Sequence, residues 1–184
     1  MRSFFIMTTT NIKLIATDMD GTLLRSDHSL SPEFETIYTA LKAHNILFVP
    51  ASGRQYYSII NYFPAMKNDL AIIAENGTYV TYKGEELFVD ELNRDIVHSI
   101  IKEVRKIEGA HLVLAGKNAA YVESTDAEFL DYFKNYYDKN CWVEDLTKIK
   151  NEQFIKIAVQ HNGGTEQFVY PKLINFEQHN LKVV

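Results

Sequence analysis

One cysteine, one tryptophan and four prolines are all that the 184-residue chain holds of those types. A single thiol forms no disulfide within the chain, which suits a reducing compartment. With no base or metal partner signalled beside it, Cys141 reads as a buried, inert side chain. No run approaches the roughly 20 apolar residues that span a bilayer. The apolar patch at residues 4–7 is shorter than the about 7 to 15 residues of a secretory signal, so residues 1–11 read as an N-terminal extension that contains an alternative start at Met7. Basic runs are also missing, and the formal net charge is -5, which argues against a surface built to neutralise nucleic-acid phosphates. Internal repeats and low-complexity tracts are absent. These features describe a cytoplasmic protein with neither a membrane nor a nucleic acid as partner.

What is present is 46% apolar and 23% charged residues, enough for one sizeable core or two small ones. The first third alternates strand and helix signals, as a parallel sheet covered by helices does. Residues 12–17 read as a strand buried on both faces. A helix follows, capped by Ser31, with Pro32 at its first position and Phe34, Ile37, Tyr38 and Leu41 on one side. Strands at 46–51 and 70–74 flank a second helix at 55–63 that ends before Pro64. The pattern then changes. Residues 78–82 and 87–90 read as an antiparallel hairpin around residues 83–86, and a mixed α+β region runs to the end. It holds a helix marked by Ile96, Ile100, Val104 and Ile107, strands at 111–115 and 119–122, a helix with a Thr125/Glu128 capping box, and a strand at 154–159. A helix interrupted near Pro171 and the start of a strand at 181–184 close it. The domain boundary falls near residues 82–87.

The decisive stretch is Thr17-Asp18-Met19-Asp20-Gly21-Thr22-Leu23, two acids at the carboxyl end of a buried strand with a glycine directly after. Ligands bind at that edge of open α/β sheets. Acids spaced by one residue aim at one small volume, where a hard cation such as Mg²⁺ offsets their repulsion. Gly21 lets the backbone turn and present amides to an anion. An EF-type calcium loop does not fit, because its glycine belongs at the sixth position and Gly21 is at the fourth. A glycosyltransferase-type Asp-x-Asp site stays open, as does an ordinary turn.

The second strand ends in Ser52-Gly53-Arg54 and the third in Glu75-Asn76-Gly77, both at the same edge. Ser52 reads as a hydroxyl for a phosphoryl oxygen or equally as a helix cap, and Gly53 offers an open amide. Arg54 carries a planar fork suited to phosphate, or is a solvated surface residue. Asn76 reads as a phosphate contact or as a turn former with Gly77.

With Asp18-Met19-Asp20-Gly21-Thr22-Leu23-Leu24, Ser52-Gly53-Arg54 and Glu75-Asn76-Gly77 in this order, the sequence resembles the haloacid dehalogenase (HAD)-like hydrolases of the Cof type, mostly phosphatases of sugar phosphates and other small metabolites. The resemblance implies a Rossmann-like α/β core with an inserted α+β cap of the C2 type: core at residues 12–82, cap at 83–184. It implies Asp18 as the nucleophile that forms an aspartyl-phosphate, Asp20 as acid and base, and Mg²⁺ held by Asp18 and by the backbone carbonyl of Asp20. Gly21, Ser52, Gly53, Arg54 and Asn76 would bind phosphate, residues 23–29 would form a flap, and the partner would be a small phosphorylated metabolite. The family's C-terminal lysine and Gly-Asp-x-x-Asn-Asp loop have no counterpart; Lys172 lacks the expected neighbours. The chain is therefore expected to be truncated, with core and cap both incomplete, residues 12–17 left as an edge strand, weak Mg²⁺ binding and poor hydrolysis. A phosphomutase using the same intermediate and an inactive remnant or binding protein are the alternatives.

Overall fold

The computed structural model describes residues 11–179 and 181–184, so the extension expected at residues 1–11 lies outside the described residues except for Asn11. Strands β1 (Leu14–Asp18), β2 (Leu47–Ala51) and β3 (Ala71–Ala74) lie side by side and parallel. Helices α1 (Phe34–Ala43) and α2 (Tyr56–Ile60) make the crossovers. One turn apart on α1, Phe34 and Tyr38 point the same way, and the Phe34 ring sits 5.3 Å from that of Phe48 and 5.5 Å from that of Phe63. Met19, Ile59, Leu70 and Ile72 complete this core.

Strand β1 is not buried on both faces as its apolar sequence suggests. It is the edge strand, paired only with β2 among the described residues, and Leu14 remains 52% exposed. The sheet continues antiparallel into β4 (Tyr79–Tyr82) and β5 (Glu85–Val89). Tyr82 pairs with Glu85, so the turn is the two residues Lys83-Gly84 rather than the expected four. Their φ angles of 55° and 80° give the mirror-image turn that matches strand twist. Because β5 belongs to this sheet, the passage to the second sheet comes after Val89, beyond the boundary expected at residues 82–87.

The second sheet has strand order β8 (Asn140–Trp142), β7 (Ala120–Val122), β6 (Ala110–Gly116), β9 (Phe154–His161). Period-two alternation lets β6 serve two cores. Leu112 and Leu114 face Val97, Ile101 and Val104 of α3 (Arg94–Val104), whereas Val113 and Ala115 pack with Phe129 and Phe133 of α4 (Ala127–Tyr136). Asn93 caps α3 through the Asp95 and Ile96 amides. The cap of α4 is Asp126, which accepts from the Phe129 amide at 2.8 Å, not Thr125; a carboxylate one residue nearer the helix takes the bond. Strand β8 carried no sequence signal, being short and exposed along its length. On it Cys141 is exposed, contrary to its expected burial, because β8 is the outer strand. The final helical stretch breaks at Val169 into α5 (Thr165–Phe168) and α6 (Tyr170–Leu173), with Pro171 in the first turn of the second piece. Residues 181–184 form no strand; Leu181 and Val183 pack against the α3 core instead. Among the described residues no helix is long and apolar enough to cross a membrane.

Candidate active site

Register alone brings the first two motifs together. Asp18 pairs with Ala51, the residue before Ser52, and the Ser52 amide donates to the Ile73 carbonyl on β3 at 2.9 Å. The loops after β1, β2 and β3 therefore meet at one edge. Beyond Asp18 the chain turns at once, closed by the Leu24 amide on the Met19 carbonyl at 2.8 Å. The turn needs Gly21 in the left-handed region, at φ 72°, while Met19 plunges into the core. Asp18 is exposed at the sheet edge, and the Thr17 hydroxyl donates to its carbonyl at 3.0 Å.

Asp20 is gripped by Arg54. Nε donates to Oδ2 at 2.8 Å and Nη2 to Oδ1 at 2.6 Å, a fork matched to a carboxylate. Those hydrogen bonds, followed in weight by opposing burial and then by the Arg54 and His28 charges, hold the Asp20 pKa below its ordinary value. The same bonds raise that of Arg54. Arg54 is no freely solvated surface residue: its side chain is 18% exposed and its guanidinium lies 5.7 Å from the Tyr62 ring centre. His28 stands nearby, Nδ1 at 3.6 Å from Asp20 Oδ1 and 3.5 Å from Arg54 Nη2.

Ser52 is buried, and its hydroxyl accepts from the Arg54 amide at 3.2 Å, which folds Ser52-Gly53-Arg54 into a tight turn. It does not cap α2, since Gln55 occupies that position. The Asn76 amide donates to the Ser52 carbonyl at 3.2 Å and the Glu75 amide to the Arg54 carbonyl at 3.0 Å, lacing the second loop to the third. Asn76 Oδ1 also lies over Gly53, 2.5 Å from where a Cβ would stand, so any side chain there would push Asn76 aside. Glu75 and Asn76 both take left-handed backbone, at φ 52° and 59°. Asp18, Asp20, Gly21, Ser52, Gly53, Arg54 and Asn76 thus share the three adjacent loops. His28, Glu75 and Lys156 were not singled out by sequence reasoning. Glu75 stood inside a recognised motif, Lys156 was a lone charge in an apolar strand, and His28 carried no signal.

For a metal, the oxygens on offer are the Asp18 carboxylate and the Asp20 carbonyl; the Asp20 carboxylate is engaged by Arg54. Among the described residues no group of three or more His, Cys, Asp or Glu side chains is arranged around a common point. An all-oxygen set this small suits Mg²⁺, which commonly binds through one or two carboxylates, waters and substrate phosphate.

An exposed acid thus stands at the carboxyl edge of parallel strands, where open α/β sheets bind ligands, with the Ser52 turn and the Asp20–Arg54 pair on the adjoining loops. A family model for haloacid dehalogenase-like hydrolases matches residues 15–182. The chain belongs to that family. It is 34% identical over 143 residues to the 5-amino-6-(5-phospho-D-ribitylamino)uracil phosphatase YbjI of Escherichia coli, covering 77% of this chain and 53% of that protein. It is 33% identical over 90 residues to the HMP-PP phosphatase of Klebsiella pneumoniae, covering 48% of this chain and 33% of that protein. A solved structure from Streptococcus mutans superposes with a TM-score of 0.81 at 24% identity, over 91% of this chain and 64% of that one. At 53% and 33% of their lengths, the chain spans about half or less of these curated relatives.

Proposed function

We propose that the chain is the catalytic-loop and cap portion of a Mg²⁺-dependent phosphatase that hydrolyses phosphate monoesters of small metabolites, sugar phosphates among them, through an aspartyl-phosphate. The first sheet with its helices serves as the core, and the region after Val89 as the cap, in the cytoplasm. The name of the Escherichia coli relative, a phosphoribitylamino-uracil phosphatase, favours a phosphorylated polyol or heterocyclic metabolite. The observation that carries the reading is the meeting of Asp18, the Asp20–Arg54 pair and the Ser52 turn at one sheet edge.

Asp18, exposed and with no side-chain hydrogen bond among the described residues, is the nucleophile toward phosphorus. Ser52, the Gly53 and Gly21 amides, Arg54 and Asn76 hold the equatorial oxygens. When bound, Mg²⁺ screens the charge between nucleophile and phosphate, with the Asp18 carboxylate and the Asp20 carbonyl as its ligands from this chain. Asp20 protonates the leaving alkoxide and then takes the proton of the attacking water. The Arg54 fork keeps Asp20 ionised before substrate arrives. A phosphoryl dianion competes for that fork, and Asp20, released beside that negative charge, takes from solvent the proton it must donate.

A binding protein without turnover is the second reading, favoured by the engagement of the Asp20 carboxylate by both arms of Arg54. A phosphomutase is the third, separated by its product. One experiment decides: phosphorylated metabolites are incubated with the chain, or a longer form containing it, with and without Mg²⁺, beside Asp18→Asn. The phosphatase reading expects free phosphate that vanishes in the variant and with EDTA. An isomeric ester supports the mutase, binding without turnover supports the second reading, and an undiminished Asp18→Asn rate removes the nucleophile assignment.

A further inference from the structure

Strand β9 sends one cation across to the first sheet. Lys156 shares a face of β9 with Ala158, the face toward α4, and its side chain is 17% exposed. Its Nζ donates to the Gly53 carbonyl at 2.8 Å and pairs with the Glu75 carboxylate, with the Tyr137 ring centre 5.7 Å away. Glu75 is 1% exposed, and neither carboxylate oxygen has another hydrogen-bond partner among the described residues. Burial pushes its pKa up, and Lys156 opposes that rise.

We infer that Lys156 is a positioning residue for the phosphate-binding loop, clamping Ser52-Gly53-Arg54 to Glu75-Asn76-Gly77 while the second sheet is docked. The inference rests on the reading of those loops as the phosphate site. A buried carboxylate left without its cation is strongly unfavourable, so Glu75 keeps its native place only while Lys156 reaches it. The Glu75 amide is bonded to the Arg54 carbonyl and the Asn76 amide to the Ser52 carbonyl. Displacing Glu75 therefore loosens the turn that orients Ser52 and Arg54. The docked second sheet thus supplies, through Lys156, part of what orders the phosphate loop. Lys156 acts through Gly53 and Glu75, the two polar contacts its side chain makes among the described residues.

The docking carries its own supports, which let the clamp be tested separately. The Gln55 amide group makes a closed pair with Lys139, donating to its carbonyl at 2.8 Å and accepting from its amide at 2.9 Å. The Ser58 hydroxyl donates to the Tyr136 carbonyl and accepts from the Asp138 amide, both at 3.3 Å. Removing Lys156 should loosen the two loops without undocking the sheet.

The experiment compares Lys156→Met, Lys156→Arg and the Lys156→Met/Glu75→Gln double variant with the unaltered chain. Amide exchange is followed at Arg54, Glu75 and Asn76, with α3 amides on the opposite face of the second sheet as reference, and inorganic phosphate affinity is measured by calorimetry in Mg²⁺. Lys156→Met is expected to speed exchange at the three amides about tenfold, and weaken phosphate binding about tenfold, for each 1.4 kcal/mol of clamp lost, with α3 unchanged. Lys156→Arg should stay near the unaltered chain. The double variant, which leaves no charge buried alone, should regain loop protection, and it reports on the clamp even where Lys156→Met fails to fold. Unchanged exchange at the three amides in Lys156→Met, or a parallel rise in α3, would overturn the inference. A double variant no better protected than Lys156→Met would overturn it as well. If the unaltered chain binds no phosphate, the phosphate-site reading fails while the exchange comparison still decides whether Lys156 orders the loops.

Discussion

Arg54 closes both arms of its guanidinium on Asp20, at 2.8 and 2.6 Å, across 34 residues of sequence. The pair joins the loop after β1 to the loop after β2, and it puts the cation of the second motif on the proposed acid of the first. Arg54→Met should therefore let Asp20 titrate upward toward the ordinary value of 3.8. Carboxyl carbon shifts followed through an acid titration check this, and an unmoved Asp20 midpoint would count against Arg54 as its controlling charge. The sign follows from linkage: a depressed folded pKa stabilises the folded chain above the unfolded pKa and is lost as pH falls through the folded one. Because the Asp20 side chain is 45% exposed, solvent screens most of that energy, and the shift rather than the stability is the measurement of choice.

Gly53→Ala should damage the site more than the fold. The added methyl would meet Asn76 Oδ1 at 2.5 Å and drive that side chain away. We expect phosphate affinity to fall as Asn76 is displaced, with a cost to the fold at or below the about 1–3 kcal/mol of core overpacking, because the displaced atom is the end of a side chain. Adding Asn76→Gly clears the space and suits the left-handed backbone at φ 59°, so the double variant should recover backbone order around the turn. Amide spectra of the single and double variants are the check.

Acid sensitivity should arise in part from the second sheet. Arg105 donates to Glu123 through Nε at 2.7 Å and to Asp145 through Nη2 at 2.8 Å. These bonds depress both carboxyl pKa values, chiefly through the Arg105 hydrogen bond. Their stabilisation is complete above the unfolded carboxylate range of about 4 and disappears as pH falls through the lower folded values. Thermal midpoints from pH 7 down to 3 should drop less steeply in Arg105→Met than in the unaltered chain. Parallel slopes would show that the network carries no pH-dependent stability.

Cys141 should react promptly with a thiol reagent in the folded state, since it is exposed on the outer strand β8. Labelling that awaited denaturant would contradict the observed position of that strand.

The sequence by itself determined the elements whose causes are local. Apolar runs ending in Asp18, Ser52 and Glu75 marked three parallel strands. The one-turn spacing of Phe34 and Tyr38 marked a buried helix face, and the glycines beside the acids marked where the backbone must turn. Tertiary structure decided what depends on which surfaces meet. The apolar sequence of β1 reads as burial on both faces, whereas the edge position that the family resemblance implied leaves Leu14 half exposed. Cys141 looked buried until an unsignalled strand took the outside position, and Thr125 yielded its cap to Asp126 by one residue of helix phase. Lys156 lies 103 positions from Gly53 and 81 from Glu75, by subtraction of their sequence numbers. An ion pair formed across such a distance depends on the docking of two sheets, because charge leaves no periodic trace in sequence as apolar burial does.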